Sequence, residues 1–415
     1  MTLSVLHFST SDNEGGSGRS AYRIHSELRR RGNRSRMVVK HKITDDPDVA
    51  CVADGRALRR ADEFLDKFTA RLGLQYQAVP SSGRVLRHSW LKEAGVIQLY
   101  NTHGGYLAHR LLPRIAHGRP VVWRLSDMWA VTGHCAYAGG CDKWLSGCGA
   151  CPDLASYPAI GRDTTAWLWR QKRDIYAKLS LTVVAPSSWI EDVARRAPLF
   201  SGRSVVRIPN GLDLQVFRPH DRNAAREFLG VPQDCTAILF APQVAVGNPR
   251  KGSDMLSRIL ARLGPRSDTM ILVAGVGAGQ WIGKVPQTVI PLGYLQDDRL
   301  IAMANAASDI VVAPSKVENL PNSVIEALAC ARPIVAFDAG GMRDAVRDGE
   351  TGRLIPVDDV GAFADALAGL LDDPSLRAAM GARGLEFARR EFSTKRQGER
   401  FEALYQSLLP TAGLS

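Results

Sequence analysis

No run of 18 or more apolar residues occurs in the 415-residue chain, so no membrane-crossing helix is expected. The start lacks the basic stretch of a secretory signal, and residues 1–10 read as a first strand; the expected location is the cytoplasm. Low-complexity tracts and internal repeats are missing too, which excludes linker-rich and solenoid designs. The charge is unbalanced, at +11, and calls for an anionic partner. With no zinc-finger spacing, aromatic RNA platform or basic tail, that partner is not expected to be nucleic acid. Phosphorylated small molecules and an anionic membrane surface remain.

A single core rarely grows past about 250–300 residues, so two domains are expected. Strand-like runs alternate with helical patterns. Residues 4–9, 37–40, 96–100, 121–125 and 181–185 form one series; 237–241, 270–274, 289–292, 309–313 and 334–337 form a second. Residues 12–18 read as a glycine-rich loop before a helix over 19–31. Other helices are expected at 253–263, 297–307 and 322–330, and nearly everything beyond 358 is helical. Alternation of this kind predicts an α/β protein with two Rossmann-like domains, ligands binding at strand C-termini. The expected divisions are 1–213, 214–395 and a final helix, 396–415, packing back on the first domain.

Residues 314–333 read P-S-K-V-E-N-L-P-N-S-V-I-E-A-L-A-C-A-R-P. A buried strand ends at Pro314 and a helix starts near Pro321, which suits a first helical position. Glu318 then stands on the connecting loop and Glu326 about a turn and a half inside the helix. A helix N-terminus favours phosphate, and a carboxylate can accept hydrogen bonds from vicinal sugar hydroxyls. Spacing alone also fits two ordinary surface glutamates. Arg250-Lys251-Gly252 opens a helix after the first strand of the second series. There a lysine can hold a diphosphate as a point charge and an arginine can grip it bidentately.

Glu318 and Glu326, followed by Ala327 and by Arg332-Pro333-Ile334-Val335-Ala336, resemble the E-x7-E motif of retaining family 4 glycosyltransferases, which have the GT-B architecture. Pro209-Asn210-Gly211-Leu212-Asp213 with Phe217 and Pro219 resembles that family's interdomain linker, and Gly340-Gly341 with Gly349 and Thr351-Gly352 its later glycine segment. The resemblance implies two domains facing across a cleft, a nucleoside diphosphate sugar as donor, and transfer of a hexose-type sugar with retention. It implies that Glu318 meets the hexose and Glu326 the ribose. Gly16, Arg250, Lys251, Asn319, Leu320, Pro321 and Asn322 complete the donor set, with Lys251 stabilising the leaving group. No cofactor is needed for catalysis. Asp46-Pro47-Asp48, a D-x-D tripeptide, reads as structural.

On the acceptor side, His103 ends a strand, and Leu125-Ser126-Asp127-Met128-Trp129 resembles the family's L-H-D-x-W, with Ser126 where histidine is usual. His103 and Asp127 are the acceptor-side catalytic candidates. Cys135, Cys141, Cys148 and Cys151 follow, a pattern similar to that of colanic-acid and exopolysaccharide glycosyltransferases. Structural zinc on these four is one reading; free or paired thiols are the other. The implied acceptor is a saccharide, free or lipid-linked, in polysaccharide synthesis. A basic amphipathic pattern over residues 56–74 offers peripheral contact with anionic lipid, against a helix packed on the domain. Two rival functions are a sugar-nucleotide epimerase of the same architecture and a non-catalytic sugar-nucleotide-binding subunit, the latter motivated by Ser126.

Overall fold

The computed structural model describes residues 2–410. The chain divides into two compact units, one built from residues 2–209 and 395–410, the other from Asn210–Thr394.

The first unit holds a sheet of β1 (Ser4–Ser11), β2 (Arg34–His41), β3 (Val49–Cys51), β4 (Val96–Leu99), β5 (Pro120–Arg124), β6 (Ser180–Ala185) and β7 (Ser204–Arg207), in the order β3-β2-β1-β4-β5-β6-β7. The second holds β8 (Thr236–Phe240), β9 (Thr269–Ala274), β10 (Thr288–Gly293), β11 (Ile310–Ala313), β12 (Ile334–Phe337) and β13 (Gly352–Ile355), ordered β10-β9-β8-β11-β12-β13. Pairing between these strands is parallel. Central strands such as Val-Ile-Gln-Leu in β4 and Ile-Val-Val-Ala in β11 are buried throughout, as a sheet covered on both faces requires. Each unit is therefore a doubly wound Rossmann-like domain. Its strand order reverses once, between β1 and β4 in the first and between β8 and β11 in the second. Ligands of such sheets bind beyond the strand C-termini at that reversal.

Sequence pattern did not reveal β3, β7 or β13. The first two are short edge strands. β13 opens on Gly352, whose absent side chain lets it lie against the Ile334 carbonyl; a Cβ there would come within 2.3 Å of that oxygen.

The glycine-rich stretch after β1 also differs from expectation. Gly15 to Gly18 are not loop but the first turn of helix α1 (Gly15–Arg30). Ser11 Oγ accepts from the amides of Asn13 and Glu14, at 3.3 and 3.0 Å, and turns the chain tightly into the helix. Gly18 passes so close that a Cβ would sit 3.1 Å from the Ser11 carbonyl. The close approach outweighs the low helix propensity of glycine.

Helix Thr394–Leu408 adds Phe401 and Tyr405 to the core of the first unit, and Tyr405 Oη donates to Gln98 Oε1 at 2.8 Å. Among the described residues, no helix is long and apolar enough to cross a membrane. Helix α2 (Arg56–Arg71) leaves Phe64 68% and Phe68 50% exposed, their rings stacked 6.4 Å apart.

Beneath α1 runs a buried polar chain. Tyr100 Oη contacts His7 Nδ1 at 3.1 Å, Ser35 Oγ bridges His7 Nε2 and His25 Nδ1 at 2.8 Å each, and His25 Nε2 lies 3.5 Å from Asp46. Asp46 of the D-x-D tripeptide is bound further by Arg29 and Tyr22, a structural role. Burial pushes the His25 imidazole down to about 4 and His7 well below the usual histidine range. In the unfolded chain both are ordinary, so as pH falls the unfolded state takes up protons first. Their contribution to stability is present above pH 6.5, the ordinary value, and is lost as pH falls towards 4. His25 alone is worth about 3 kcal/mol over that window. Denaturant unfolding from pH 7 to 4 is expected to show the loss, and His25→Gln to flatten it.

Candidate active site

In the second unit the strand reversal gathers two loops. The first follows β8 and ends in the short 3-10 turn Pro249–Lys251 and Gly252, before helix Ser253–Leu263. The second leaves β11 at Pro314 and reaches helix Asn322–Ala329 through Glu318. They are sewn together: Lys316 N donates to the Arg250 carbonyl at 2.9 Å and Arg250 Nη1 to the Val317 carbonyl at 3.1 Å. Gly252 has φ +72°, and a Cβ on it would stand 1.8 Å from the Pro314 carbonyl oxygen. Only glycine satisfies both demands.

This stitching delivers Lys251 Nζ to within 2.5 Å, and Arg250 Nη1 to within 3.4 Å, of Glu318 Oε1. Glu318 is 6% exposed. Burial alone would raise its carboxyl, but the Lys251 and Arg250 cations outweigh burial and hold it below the usual range. A carboxylate this buried stays ionised because two cations flank it. Gly341 N donates to the Glu318 carbonyl at 2.9 Å, so the later glycine segment positions the same residue. Asn319, Leu320 and Pro321 are buried in the loop, and Asn210 Nδ2 ties it down through the Leu320 carbonyl at 3.0 Å and Asn322 Oδ1 at 2.8 Å. Asn210 of the P-N-G linker was not read as a site residue; the signal for it was the motif itself. Glu326 is buried within the helix that follows. Gly275 and Gly277 form a tight turn against residues 242–246.

Gly252→Ala is expected to separate these loops by more than an ångström and to lower transfer by about 100-fold, though Lys251 and Glu318 are intact. Steady-state kinetics with the wild-type donor check it.

The first unit repeats the design at its own reversal. His103 follows β4 and Asp127 follows β5, and His103 Nε2 lies 3.4 Å from Asp127 Oδ2. Burial holds His103 below the usual histidine range; Asp127 opposes the shift and Lys172 adds to it. Ser126, in place of the expected histidine, meets Ser17 of the α1 first turn at 2.8 Å, and Arg124 Nη1 approaches it at 3.4 Å. Gly16 is exposed in that same turn. Periodicity missed Lys172, on helix Thr165–Tyr176. Its buried Nζ donates to the carbonyls of Trp129 and Thr132, at 2.6 and 2.9 Å, and lies 3.4 Å from the Trp129 ring centroid. Burial lowers its ammonium to about 7, against the pull of Cys148, Cys135 and Asp127.

The four clustered cysteines are neighbours with free thiols. His134 Nδ1 donates to the Pro158 carbonyl at 3.1 Å, which leaves Nε2 to accept from the Cys151 thiol at 3.3 Å. Gly133 N donates to Cys148 Sγ at 3.2 Å. Burial pushes the Cys135 thiol up to about 11. Zinc needs deprotonated, converging sulfurs. Among the described residues, no three His, Cys, Asp or Glu side chains form a group that could hold a metal ion. Zinc on Cys135, Cys141, Cys148 and Cys151 is a proposal that rests on their spacing, and metal analysis of the purified protein tests it.

A family model described as "Glycosyl transferases group 1" matches residues 236–373. The chain is 30% identical over 397 residues to D-inositol 3-phosphate glycosyltransferase from Mycobacterium tuberculosis, covering 90% of this chain and 74% of that protein. It is 36% identical over 196 residues to D-inositol 3-phosphate glycosyltransferase 2 from Catenulispora acidiphila, covering 43% of this chain and 45% of that protein. Among solved structures, sucrose-phosphate synthase from Thermosynechococcus elongatus superposes with a TM-score of 0.71 at 20% identity, covering 98% and 99% of the two chains. Anabaena HepE, solved with UDP and glucose, gives 0.68 at 19%, covering 98% and 100%. At such identities the structures establish the fold, that of the GT-B glycosyltransferases, while the relative matched over most of both chains establishes kinship. The chain belongs to the group 1 glycosyltransferases.

Proposed function

We propose that the chain transfers a hexose-type sugar from a nucleoside diphosphate sugar to an acceptor hydroxyl, with retention of configuration. The observation that carries this reading is the Lys251–Glu318–Arg250 cluster at the β8/β11 reversal. Two cations held by backbone stitching form a receptacle for a diphosphate. Glu318, kept ionised beside them, accepts hydrogen bonds from hexose hydroxyls, and Glu326 serves the ribose. On donor binding Lys251 exchanges Glu318 for phosphate oxygens and stabilises the charge that grows on the leaving diphosphate. The leaving group takes the acceptor proton. Asp127 and His103, whose imidazole burial holds below the usual histidine range, orient the acceptor hydroxyl. The solved relative that carries UDP and glucose supports the donor class.

The acceptor in this reading is a saccharide, free or lipid-linked, in cell-surface polysaccharide synthesis. Curated relatives named for D-inositol 3-phosphate favour a second reading, a phosphorylated polyol. Transfer from a panel of UDP-, GDP- and ADP-sugars to oligosaccharides, octyl glycosides and D-inositol 3-phosphate separates the two. Donor binding without transfer to any acceptor would favour a non-catalytic subunit, and donor isomerisation an epimerase.

Peripheral contact with anionic lipid belongs to the same reading. Phe64 and Phe68 point outward among exposed Arg56, Arg59, Arg60, Lys67 and Arg71. Basic residues near an anionic surface contribute about 1 kcal/mol each. Sedimentation with vesicles holding 30% phosphatidylglycerol as a trial composition (roughly a bacterial anionic content) is expected to capture the protein. Neutral vesicles, or the pair Phe64→Ser and Phe68→Ser, should not support capture.

A further inference from the structure

Tyr157 is an exposed aromatic in an unusually constrained setting. Its side chain is 67% exposed, yet its backbone is gripped on both sides. Ala136 N donates to the Tyr157 carbonyl at 2.7 Å, and the next carbonyl, that of Pro158, accepts from Gln75 Nε2 at 2.5 Å and from His134 Nδ1. Gln75 is itself fixed, its Oε1 accepting from Trp129 Nε1 at 3.2 Å. The cysteine-bearing loop and the Asp127–Trp129 turn thus hold one solvent-facing ring in place. A ring exposed only by accident needs no such clamp.

Position adds to the case. The Tyr157 ring meets His103 edge-on, centroids 5.9 Å apart, and His103 in turn contacts Asp127 and the Trp129 ring at 5.3 Å. Asp66 of α2 lies so close to Gly105 that a Cβ there would stand 2.5 Å from its Oδ2. Burial raises the Tyr157 phenol, and the Asp127 and Asp66 carboxylates add to the shift. An apolar ring face bordered by carboxylates suits a pyranose: C–H groups of one sugar face pack on the aromatic ring, while carboxylates accept from hydroxyls at the rim.

We infer that Tyr157 is the stacking platform for the acceptor's sugar ring, a pyranoside. This deepens the proposed transferase reading and rests on it. The platform presents the ring, Asp127 takes a hydroxyl at its rim, and His103 closes the other end.

The test is direct binding, without turnover. Octyl β-D-glucopyranoside (below its micelle concentration), maltose and D-inositol 3-phosphate are titrated, with UDP present, into wild type, Tyr157→Ala and Tyr157→Phe. UDP, GDP and ADP are titrated alone into each. A pyranoside is expected to bind wild type and Tyr157→Phe with Kd values within about twofold, and Tyr157→Ala about five- to tenfold more weakly. UDP should bind all three alike. Equal pyranoside binding to Tyr157→Ala overturns the platform, as does binding of D-inositol 3-phosphate alone. If Tyr157→Ala fails to fold, loss of binding in Tyr157→Phe, which keeps the ring, is likewise contrary. UDP binding with no pyranoside binding to wild type sinks the platform alone. Absence of binding by GDP and ADP as well as UDP sinks the donor reading and the platform with it.

Discussion

Replacing Lys251 by alanine lowers kcat by about 100- to 1,000-fold, corresponding to about 3–4 kcal/mol of lost leaving-group stabilisation. The effect is this large because Nζ is the group nearest Glu318, at 2.5 Å, with Arg250 farther off at 3.4 Å. Arg250 also serves the Val317 carbonyl, so it is not wholly available to substitute. Two signatures accompany the drop. With Lys251 gone, Glu318 loses the larger of the two cations that offset its burial, and its carboxyl rises towards the normal range. Donor affinity in Lys251→Ala should therefore vary with pH near the ordinary carboxylate value, where the wild type does not. Lys251→Arg should recover only part of kcat, since a planar fork replaces a compact ammonium. Donor titrations from pH 4 to 8 check the affinity, and single-turnover rates at saturating donor check the two rate losses.

The second large effect is on stability. Lys172→Ala removes the donor for two buried carbonyls, those of Trp129 and Thr132, and the cation against the Trp129 ring. A buried acceptor left without a partner costs about 1–3 kcal/mol, so a loss of about 4 kcal/mol is expected. It falls on the first unit, because Trp129 N also donates to Asp127 Oδ1 at 2.9 Å and Tyr176 Oη grips the neighbouring Ala130 carbonyl at 3.0 Å. Lys172→Met keeps the side-chain volume but supplies neither hydrogen bond, so it should lose about as much. Denaturant melts give the stability, and UDP affinity, which belongs to the second unit, should be unmoved in both variants.

These expectations mark what the sequence made legible. Glu318, Arg250 and Lys251 were found because each sits where a buried strand gives way to a loop, and strand ends are visible as apolar runs stopped by Pro, Gly or charge. His103 and Asp127 were found on the same signal. Their mutual contact was not, since it joins loops from two strands that pattern alone cannot order. Lys172 was invisible for a related reason. On the face of a helix a lysine reads as solvated, and only the path of the 126–132 turn beneath it turns the residue inward. Gly15 to Gly18 misled because four residues of poor helix propensity look like a loop until Ser11 shows why a side chain would not fit. The cysteine spacing fits zinc and fits free or paired thiols alike, and spacing does not reveal that His134 and Gly133 engage two of the sulfurs. Helix α2 was read as either membrane-facing or packed on the domain. The structure leaves Phe64 and Phe68 outward and Leu58, Leu65 and Leu72 half-buried, which pattern alone cannot separate.

The central claim is that the Arg250–Lys251–Glu318 cluster binds a nucleoside diphosphate sugar. Calorimetric titration of UDP, GDP and ADP, each free and as its glucose or mannose conjugate, into wild type and the double variant Arg250→Ala, Lys251→Ala tests it most directly. One nucleotide class is predicted to bind wild type at one site per chain, with affinity in the double variant reduced at least about 100-fold. No binding by any of the six, or binding that survives loss of both cations, would contradict it.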